Sequence, residues 1–427
     1  MSLAAKMEEV DLSVQEEGFF LFRQPILNGR QQLVGHALLF CSGTSDDGNA
    51  DINTSVVEQA CEVGLRDVIG SSLAFVHVDT AILMSELPFT MPRQRVVLEL
   101  LESVPLTPEI MDRLALLLAA GYRFAIGNVV AESAWTELLL PLVEMVKVNV
   151  LQMSAKEIAA LSQSFQSKGK KLLAENVDTP EKFETCSQYG FIYFQGYHFA
   201  RPELIPHRQA SVLSVHVMEI LTLIVRGDNN FEIVRSLNKD TAIRLMLLHL
   251  VNTPLCGFRR HIDSLDHILL VLGHRQLKHW LQVLLYANQG GQRGVVCSPL
   301  MILAATRGKI CELLAGNISG HANSAVAFTV GMLSLSDILF NRSMADILDQ
   351  LGEQAEVRGA LISRDGFYGD LLRLVELSEQ ASTSEADQLH QLLDQLQLSR
   401  QDFFNAQKEA FAWGDNIAEH MGDQSER

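Results

Sequence analysis

The chain has 427 residues, of which 34 are basic and 51 are acidic, and its formal net charge is -17. This length exceeds the size at which a single hydrophobic core keeps growing, so two domains are expected. A chain this acidic repels nucleic-acid phosphates and anionic lipid heads, so neither nucleic acid nor a membrane surface is expected as a partner.

The first part of the chain alternates short β-rich runs with helical patterns, after an acidic N-terminal segment at residues 1–18. This alternation is typical of βα units around a parallel sheet. The eight predicted strands are residues 19–26, 33–40, 73–78, 96–101, 123–126, 145–150, 171–175 and 192–194. Most are apolar on both faces, as buried parallel strands are. Residues 19–204 are therefore predicted to form an α/β TIM-like barrel.

Local signals support this alternation. Thr107 and Thr179 are each followed by Pro and Glu, which predicts an N-cap, a proline in the first turn and an early acid. Only Asn28-Gly29 and a few polar residues separate the first two strands, which is too short for a parallel crossover. The barrel is therefore predicted to open with an antiparallel strand pair.

The pattern changes after Pro202 and Pro206, where apolar residues recur at helical spacing with almost no alternating strand pattern. Residues 205–410 are predicted to form an all-α domain. Its predicted helices include residues 212–226 and 240–251. Residues 411–427 are predicted to be a polar tail that frays.

Candidate functional residues of the barrel are polar residues at the ends of strands, because the chemistry of a βα barrel lies where the strands end and the βα loops begin. They are His36, His77, Glu99, Gly127, Asn128, Lys147, Asn149, Glu175 and Gln195, with Gln24 on the opening strand.

Six landmarks in this half occur in a particular order. They are Gln24-Pro25-Ile26, Ala37-Leu38-Leu39, Glu99-Leu100-Leu101-Glu102, Lys147, Ala174-Glu175 and Gln195-Gly196-Tyr197. On these residues the first half resembles the EAL family of cyclic di-GMP phosphodiesterases. The second half is similar to an HDOD domain, on Asp240-Thr241-Ala242, Leu247-Leu248, Val251-Asn252 and residues 264–280 and 327–339.

The EAL resemblance implies a site with two cations, which needs several hard oxygen ligands such as those that hold Mg or Mn. The sequence departs from the family at those positions. His36 stands where the family has its naming Glu, His77 where it has a ligating Asn, and Gly127-Asn128 where it has two aspartates. Among the main metal-ligand positions of the family, only Glu99 still carries the residue type that the family has there.

Other family positions are also altered. Lys147 matches the Lys that helps to activate water, but the acid two residues later is Asn149. The second acid of the Glu-x-x-Glu element is Asp178. Phe40 replaces the Arg that would hold a phosphate. Losing carboxylates and an Arg removes the electrostatic stabilisation that phosphodiester cleavage needs, so no catalysis and no bound Mg or Mn are expected.

The retained residues Glu99, Lys147, Glu175 and Gln195 are interpreted as a vestigial site, with Gln24, Lys147, Glu175 and Gln195 as the candidate ligand pocket. We expect the first three to form a buried ion-pair set. An alternative is a rebuilt metal site, because two histidines plus a carboxylate, His36, His77 and Glu99, can hold Zn or Fe.

The helical half lacks the metal motif of HD phosphohydrolases, since none of its histidines is followed by Asp. Six cysteines without a C-x-x-C pair favour reduced thiols in the cytoplasm. The sequence therefore predicts a non-catalytic signalling protein, with the barrel as a sensor or docking module and the helical domain binding partner proteins. The alternatives are a cyclic di-GMP receptor without hydrolysis and a metal-dependent enzyme.

Overall fold

The structure is a computed structural model that describes residues 19–30, 33–42, 72–196, 212–253, 261–286, 288–289, 295–296, 299–318, 323–340, 342–379 and 386–422. The predicted N-terminal segment at 1–18 and the predicted domain boundary at 204/205 lie outside these residues. Within them, no helix combines the length and the apolar character needed to cross a lipid bilayer.

The first half is a closed eight-stranded barrel, as predicted. Its strands are β1 (Phe19–Asn28), β2 (Leu33–Ser42), β3 (Leu73–Val78), β4 (Val96–Leu100), β5 (Arg123–Val129), β6 (Met145–Asn149), β7 (Lys171–Glu175) and β8 (Tyr193–Gln195). Strand β1 pairs antiparallel with both β2 and β8, and the other neighbours are parallel. The predicted antiparallel opening is therefore confirmed.

Helices cover the outside of the barrel. They are α1 (Thr80–Met84), α2 (Leu87–Thr90), α3 (Pro108–Ala119), α4 (Ala134–Leu139), α5 (Ala155–Ser167) and α6 (Pro180–Gln188), with a 3-10 turn at Leu140–Leu142. Thr107 and Thr179 cap α3 and α6 with proline in the first turn, as the sequence predicts.

Side chains fill the inside of the barrel below its C-terminal mouth. This inner cluster has one residue from each of seven strands: Ile26, Ala37, Phe75, Val97, Ala125, Met145 and Leu173. Because side chains alternate between the two faces of a strand, these seven residues define which positions face inward. The larger outer cluster packs the strands against the helices.

The second half is helical. It contains α7 (Val212–Arg226), α8 (Asn230–Leu237), α9 (Thr241–Val251), α10 (Leu265–Leu285), α11 (Pro299–Asn317), α12 (Ser324–Leu333), α13 (Ser336–Phe340), α14 (Met344–Leu351), α15 (Ala355–Ser363), α16 (Gly366–Ser378), α17 (Ala386–Leu396) and α18 (Arg400–Gly422). Two short strands, β9 (Asn288–Gln289) and β10 (Val295–Val296), form a separate pair.

The predicted polar tail is wrong for residues 411–422, which continue helix α18. Phe411 and Ile417 are buried, and Phe411 belongs to the outer core of the barrel together with Phe404. These apolar side chains pack the helix against both halves of the protein. The rest of the predicted tail, residues 423–427, lies outside the described part.

Candidate functional site

Three charged side chains meet inside the barrel at its C-terminal mouth. Lys147 Nζ lies 2.6 Å from Glu99 Oε2 and 2.8 Å from Glu175 Oε1. Lys147 and Glu99 are fully buried, and Glu175 is nearly so. The ammonium also lies 5.7 Å from the centre of the Phe75 ring. The predicted buried ion-pair set is therefore present in the structure.

His77 completes this group, which we call the charge cluster: His77, Glu99, Lys147 and Glu175. His77 Nε2 lies 3.0 Å from Glu99 Oε1, off the line of a well-aligned hydrogen bond. The backbone N–H of Asn128 donates to Glu175 Oε2 at 2.8 Å. Each of the four carboxylate oxygens thus has a polar partner from the protein within about 3 Å.

Neighbouring charges favour the ionised forms of Glu99 and Lys147. Burial of Glu99 opposes its ionisation, but the charges of His77 and Lys147 outweigh burial and lower the pKa of Glu99 to about 2. Burial likewise opposes the charge on Lys147, while Glu175 and Glu99 together raise its pKa above the ordinary value. The cluster therefore carries its own counter-ions.

Gly127 leaves the room that the Glu99 carboxylate needs. A Cβ at position 127 would lie 2.1 Å from Glu99 Oε1, which is closer than real Cβ atoms come to other atoms. A side chain there requires the Glu99 side chain, which contacts Lys147, to shift. The Gly at this position and the Glu99–Lys147 pair are therefore sterically linked.

Replacing Gly127 with Ala is expected to lower the free energy of unfolding by about 1–3 kcal/mol, because the inserted methyl overpacks a buried contact. Amide hydrogen exchange of strands β4 and β6 in the full chain measures the change. Gly29→Ala is the matched control, because the nearest atom to its new Cβ is 4.0 Å away. Equal effects of the two substitutions would contradict the prediction.

The remaining inward residues line the mouth. Asn149 Nδ2 donates to Asn128 Oδ1 at 2.8 Å. Asn128 has a left-handed backbone with φ 55°, which asparagine tolerates better than most residues. Gln195 Nε2 donates to Gln24 Oε1 at 2.7 Å. In the described part of the chain, the buried Oε1 of Gln195 accepts no hydrogen bond.

His36 lies elsewhere, and its predicted place in the pocket is wrong. Its neighbour Ala37 belongs to the inner cluster, so His36 points to the outer face of β2. There its Nδ1 lies 2.9 Å from Arg23 Nη2. Burial, and then the charge of Arg23, keep the pKa of His36 well below its ordinary value.

The proposed metal set of His36, His77 and Glu99 is therefore not brought together, since His36 is on the opposite face of the sheet. Across the described ranges, no group of three or more His, Cys, Asp or Glu side chains is arranged to hold a metal ion. Asp178 pairs with Lys182 at 3.1 Å. The side chain of Phe40 lies outside the described residues.

A contact that the sequence did not indicate joins the barrel to helix α18. Arg23 Nη2 donates to both carboxylate oxygens of Asp415, at 2.7 and 2.9 Å. The Arg23 guanidinium also lies 4.6 Å from the centre of the Phe411 ring. Gln407 Nε2 donates to the backbone oxygen of Leu21 at 3.0 Å. Residues about 390 apart in the chain thus form one buried interface.

Family models match both halves of the chain. An EAL domain model matches residues 49–202, and an HDOD domain model matches residues 212–364. The described barrel begins earlier, at Phe19, and the helical half continues to Gly422, so each structural unit is longer than the matched segment.

Two curated relatives align with nearly the whole chain. The uncharacterized protein YuxH of Bacillus subtilis is 25% identical over 93% of this chain and 98% of its own length. The protein named cyclic di-GMP phosphodiesterase CdgJ of Vibrio cholerae is 28% identical over 93% of this chain and 93% of its own length.

Solved structures of EAL proteins also match. An EAL domain protein of Listeria monocytogenes is 16% identical with a TM-score of 0.36, over 43% of this chain and 87% of its own. The BlrP1 manganese and cyclic di-GMP complex of Klebsiella pneumoniae is 17% identical with a TM-score of 0.37, over 44% of this chain and 56% of its own.

Proposed function

This chain joins an EAL domain to an HDOD domain, and on that premise we propose that it is a signalling protein whose barrel does not hydrolyse cyclic di-GMP. The barrel acts as a sensor or docking module, and the helical domain acts on partner proteins. A reducing cytoplasm suits its scattered cysteines. Fold alone does not fix function, and the geometry of the charge cluster is what supports inactivity.

The observation that carries the proposal is the position of the Lys147 ammonium between Glu99 and Glu175. A divalent cation needs several free oxygen ligands to polarise a phosphodiester and to activate water. Here the four carboxylate oxygens already have protein partners, and two of them contact Lys147. A cation would have to displace a buried ammonium, so the cluster does not fit Mg or Mn.

The barrel is physically connected to the output domain through β1. Gln24 of this strand faces the mouth, where it contacts Gln195, and the adjacent Arg23 faces outward to Asp415. A ligand or partner that shifts β1 at the mouth therefore acts directly on the contact with helix α18. This supports a sensor role for the barrel.

The purified full chain is expected to show no turnover of cyclic di-GMP with Mg²⁺ or Mn²⁺ present, because the Lys147 ammonium lies between the two carboxylates that would have to hold a cation. Product release measured by chromatography tests this. The Vibrio cholerae relative named as a phosphodiesterase is the positive control in the same assay. Hydrolysis that is lost in Lys147→Ala and Glu99→Ala would contradict the proposal.

A second candidate is a cyclic di-GMP receptor that binds without cleavage. It is favoured by Gln195, whose buried Oε1 accepts no hydrogen bond within the described residues and lies beside Gln24 at the mouth. A ligand N–H would satisfy this acceptor. In calorimetry, binding tighter than about 10 µM, roughly 7 kcal/mol, favours the receptor, and weaker binding favours a sensor of another signal.

A further inference from the structure

The helical domain contains a cavity that is separate from the charge cluster of the barrel. It has a volume of about 340 Å³ and lies between helix α10, helix α12 and the beginning of α15. This is at the small end of the range for sites that bind organic ligands, roughly 300–1,000 Å³. The cavity is on the other half of the molecule from the charge cluster.

The wall formed by α10 carries two cations, one turn apart on the same helix face. Lys278 Nζ is paired with Glu353 at 2.8 Å. Arg275 Nη2 donates to the hydroxyl of Ser324 at 3.2 Å, and no carboxylate of the described residues lies within ion-pair distance of it. Two carboxylates also line the cavity, but both are paired, Glu353 with Lys278 and Glu312 with Lys309 at 3.1 Å. The exposed Arg275 guanidinium at the cavity mouth therefore remains available to an anion.

The rim opposite this wall is the first turn of helix α15. Its N-cap residue Gln354 lines the cavity and makes no side-chain hydrogen bond to the helix. The N–H groups of a first helical turn carry partial positive charge. They add to the charge of Arg275, and both favour a negatively charged group at this end of the cavity.

The floor is suited to the uncharged body of a ligand. Gln282 is buried, and its Nε2 donates to the Thr329 hydroxyl at 3.2 Å. Phe328 and Val357 supply buried apolar surface beside this pair. Most of the other lining residues are polar or charged, so this floor is the part of the cavity that offers apolar contact to a ligand.

The cavity wall also contacts the helix that holds the barrel. The ring of His279 stacks on Phe328, with centroids 3.4 Å apart and planes at 13°. The edge of Trp413 packs against both rings, at 5.7 and 6.1 Å. Trp413 is two residues before Asp415, which binds Arg23 of the barrel. Trp413 and Asp415 lie in the same turn of α18, so a displacement of His279 and Phe328 is transmitted to the contact between Asp415 and Arg23.

We propose that this cavity binds a small organic anion whose carboxylate or phosphate lies against Arg275 and Lys278. Binding changes the packing of Trp413 against the cavity wall. Bound anion packs its uncharged part on the floor and moves the aromatic wall. The site is independent of cyclic di-GMP and of the charge cluster.

Tryptophan fluorescence of the full chain tests this in a background with Trp135→Phe and Trp280→Phe, which leaves Trp413 as the one tryptophan of the sequence. The probes are AMP and GMP, compared with adenosine and guanosine, and succinate, compared with its uncharged dimethyl ester. At least one anion is expected to give a saturable change with a Kd below about 1 mM. The nucleotide and succinate arms distinguish a phosphate from a carboxylate ligand.

Arg275→Gln is expected to weaken that binding about tenfold or more, since it removes a charge-assisted contact. Arg235→Gln is the matched control, because Arg235 is exposed on α8 away from the cavity. The proposal is overturned if no anion gives a saturable response, if an uncharged probe binds as tightly as its anion, or if Arg275→Gln binds like the control.

Discussion

Replacing Lys147 with Met is expected to lower the free energy of unfolding of the barrel by about 3–5 kcal/mol at neutral pH, the usual effect of breaking a buried ion pair. The substitution leaves Glu99 and Glu175 inside the barrel without the ammonium between them. Hydrogen exchange of β4, β6 and β7 in the full chain, followed by mass spectrometry, measures the loss.

The matched control is Lys171→Met, at an exposed pair with Glu144 on the same sheet. Exposed pairs contribute less than about 1 kcal/mol, so this variant should remain close to the parent chain. If Lys147→Met were no more destabilising than the control, the charge cluster would not be the strong internal pairing that the structure shows.

The effect of Lys147→Met should also depend on pH. The folded-state pKa of Glu99 is about 2, below its ordinary value of 4.5, so Glu99 stabilises the fold above pH 4.5. This contribution is lost as the pH falls from 4.5 towards 2. Without Lys147, Glu99 takes up a proton at higher pH. The difference in free energy of unfolding between Lys147→Met and the parent chain is therefore expected to become smaller on acidification. A constant difference would show that Lys147 acts through packing.

Replacing Asp415 with Asn is expected to cost about 3–5 kcal/mol at the contact between the barrel and helix α18. Burial lowers the pKa of Arg23 and Asp415 opposes that effect, so the variant leaves a buried guanidinium without its carboxylate. We expect the barrel to lose its packing against α18 and to unfold in a separate transition at lower temperature than the helical domain. Calorimetry of the full chain detects the second transition.

A double variant separates the charge from the packing. Arg23→Met combined with Asp415→Leu removes both charges and should recover most of the loss, because buried pairs can be replaced by apolar residues at little cost. Asp349→Asn, at the exposed pair with Arg358, is the surface control. A double variant as unstable as Asp415→Asn would contradict the assignment of the loss to an unpaired charge.

The sequence was sufficient to predict the barrel, because buried strands and capped helices alternate at regular intervals. It also predicted the meeting of Glu99, Lys147 and Glu175, since inward residues at the ends of parallel strands share one mouth. His36 was misplaced because adjacent residues of a strand face opposite ways, and a shift of one residue moves a side chain from the pocket to the outside.

The interface with α18 could not be predicted from local pattern. Arg23 and Asp415 are 392 positions apart, and nothing in the sequence around either residue identifies the other. The polar composition after Gly414 suggested a tail, yet Phe411 and Ile417 occur at helical spacing and are buried. Tertiary packing decides the structure of this segment.

The placement of Phe404 and Phe411 has a practical consequence for dissecting the molecule. These two residues at the far end of the chain are part of the hydrophobic core that surrounds β1. A fragment cut at the limits of the EAL match would lack these two residues, and it would also lack Phe19–Ser42, which includes the strand that α18 contacts. Family boundaries and folding units do not coincide here, so the two halves are best studied in one intact chain.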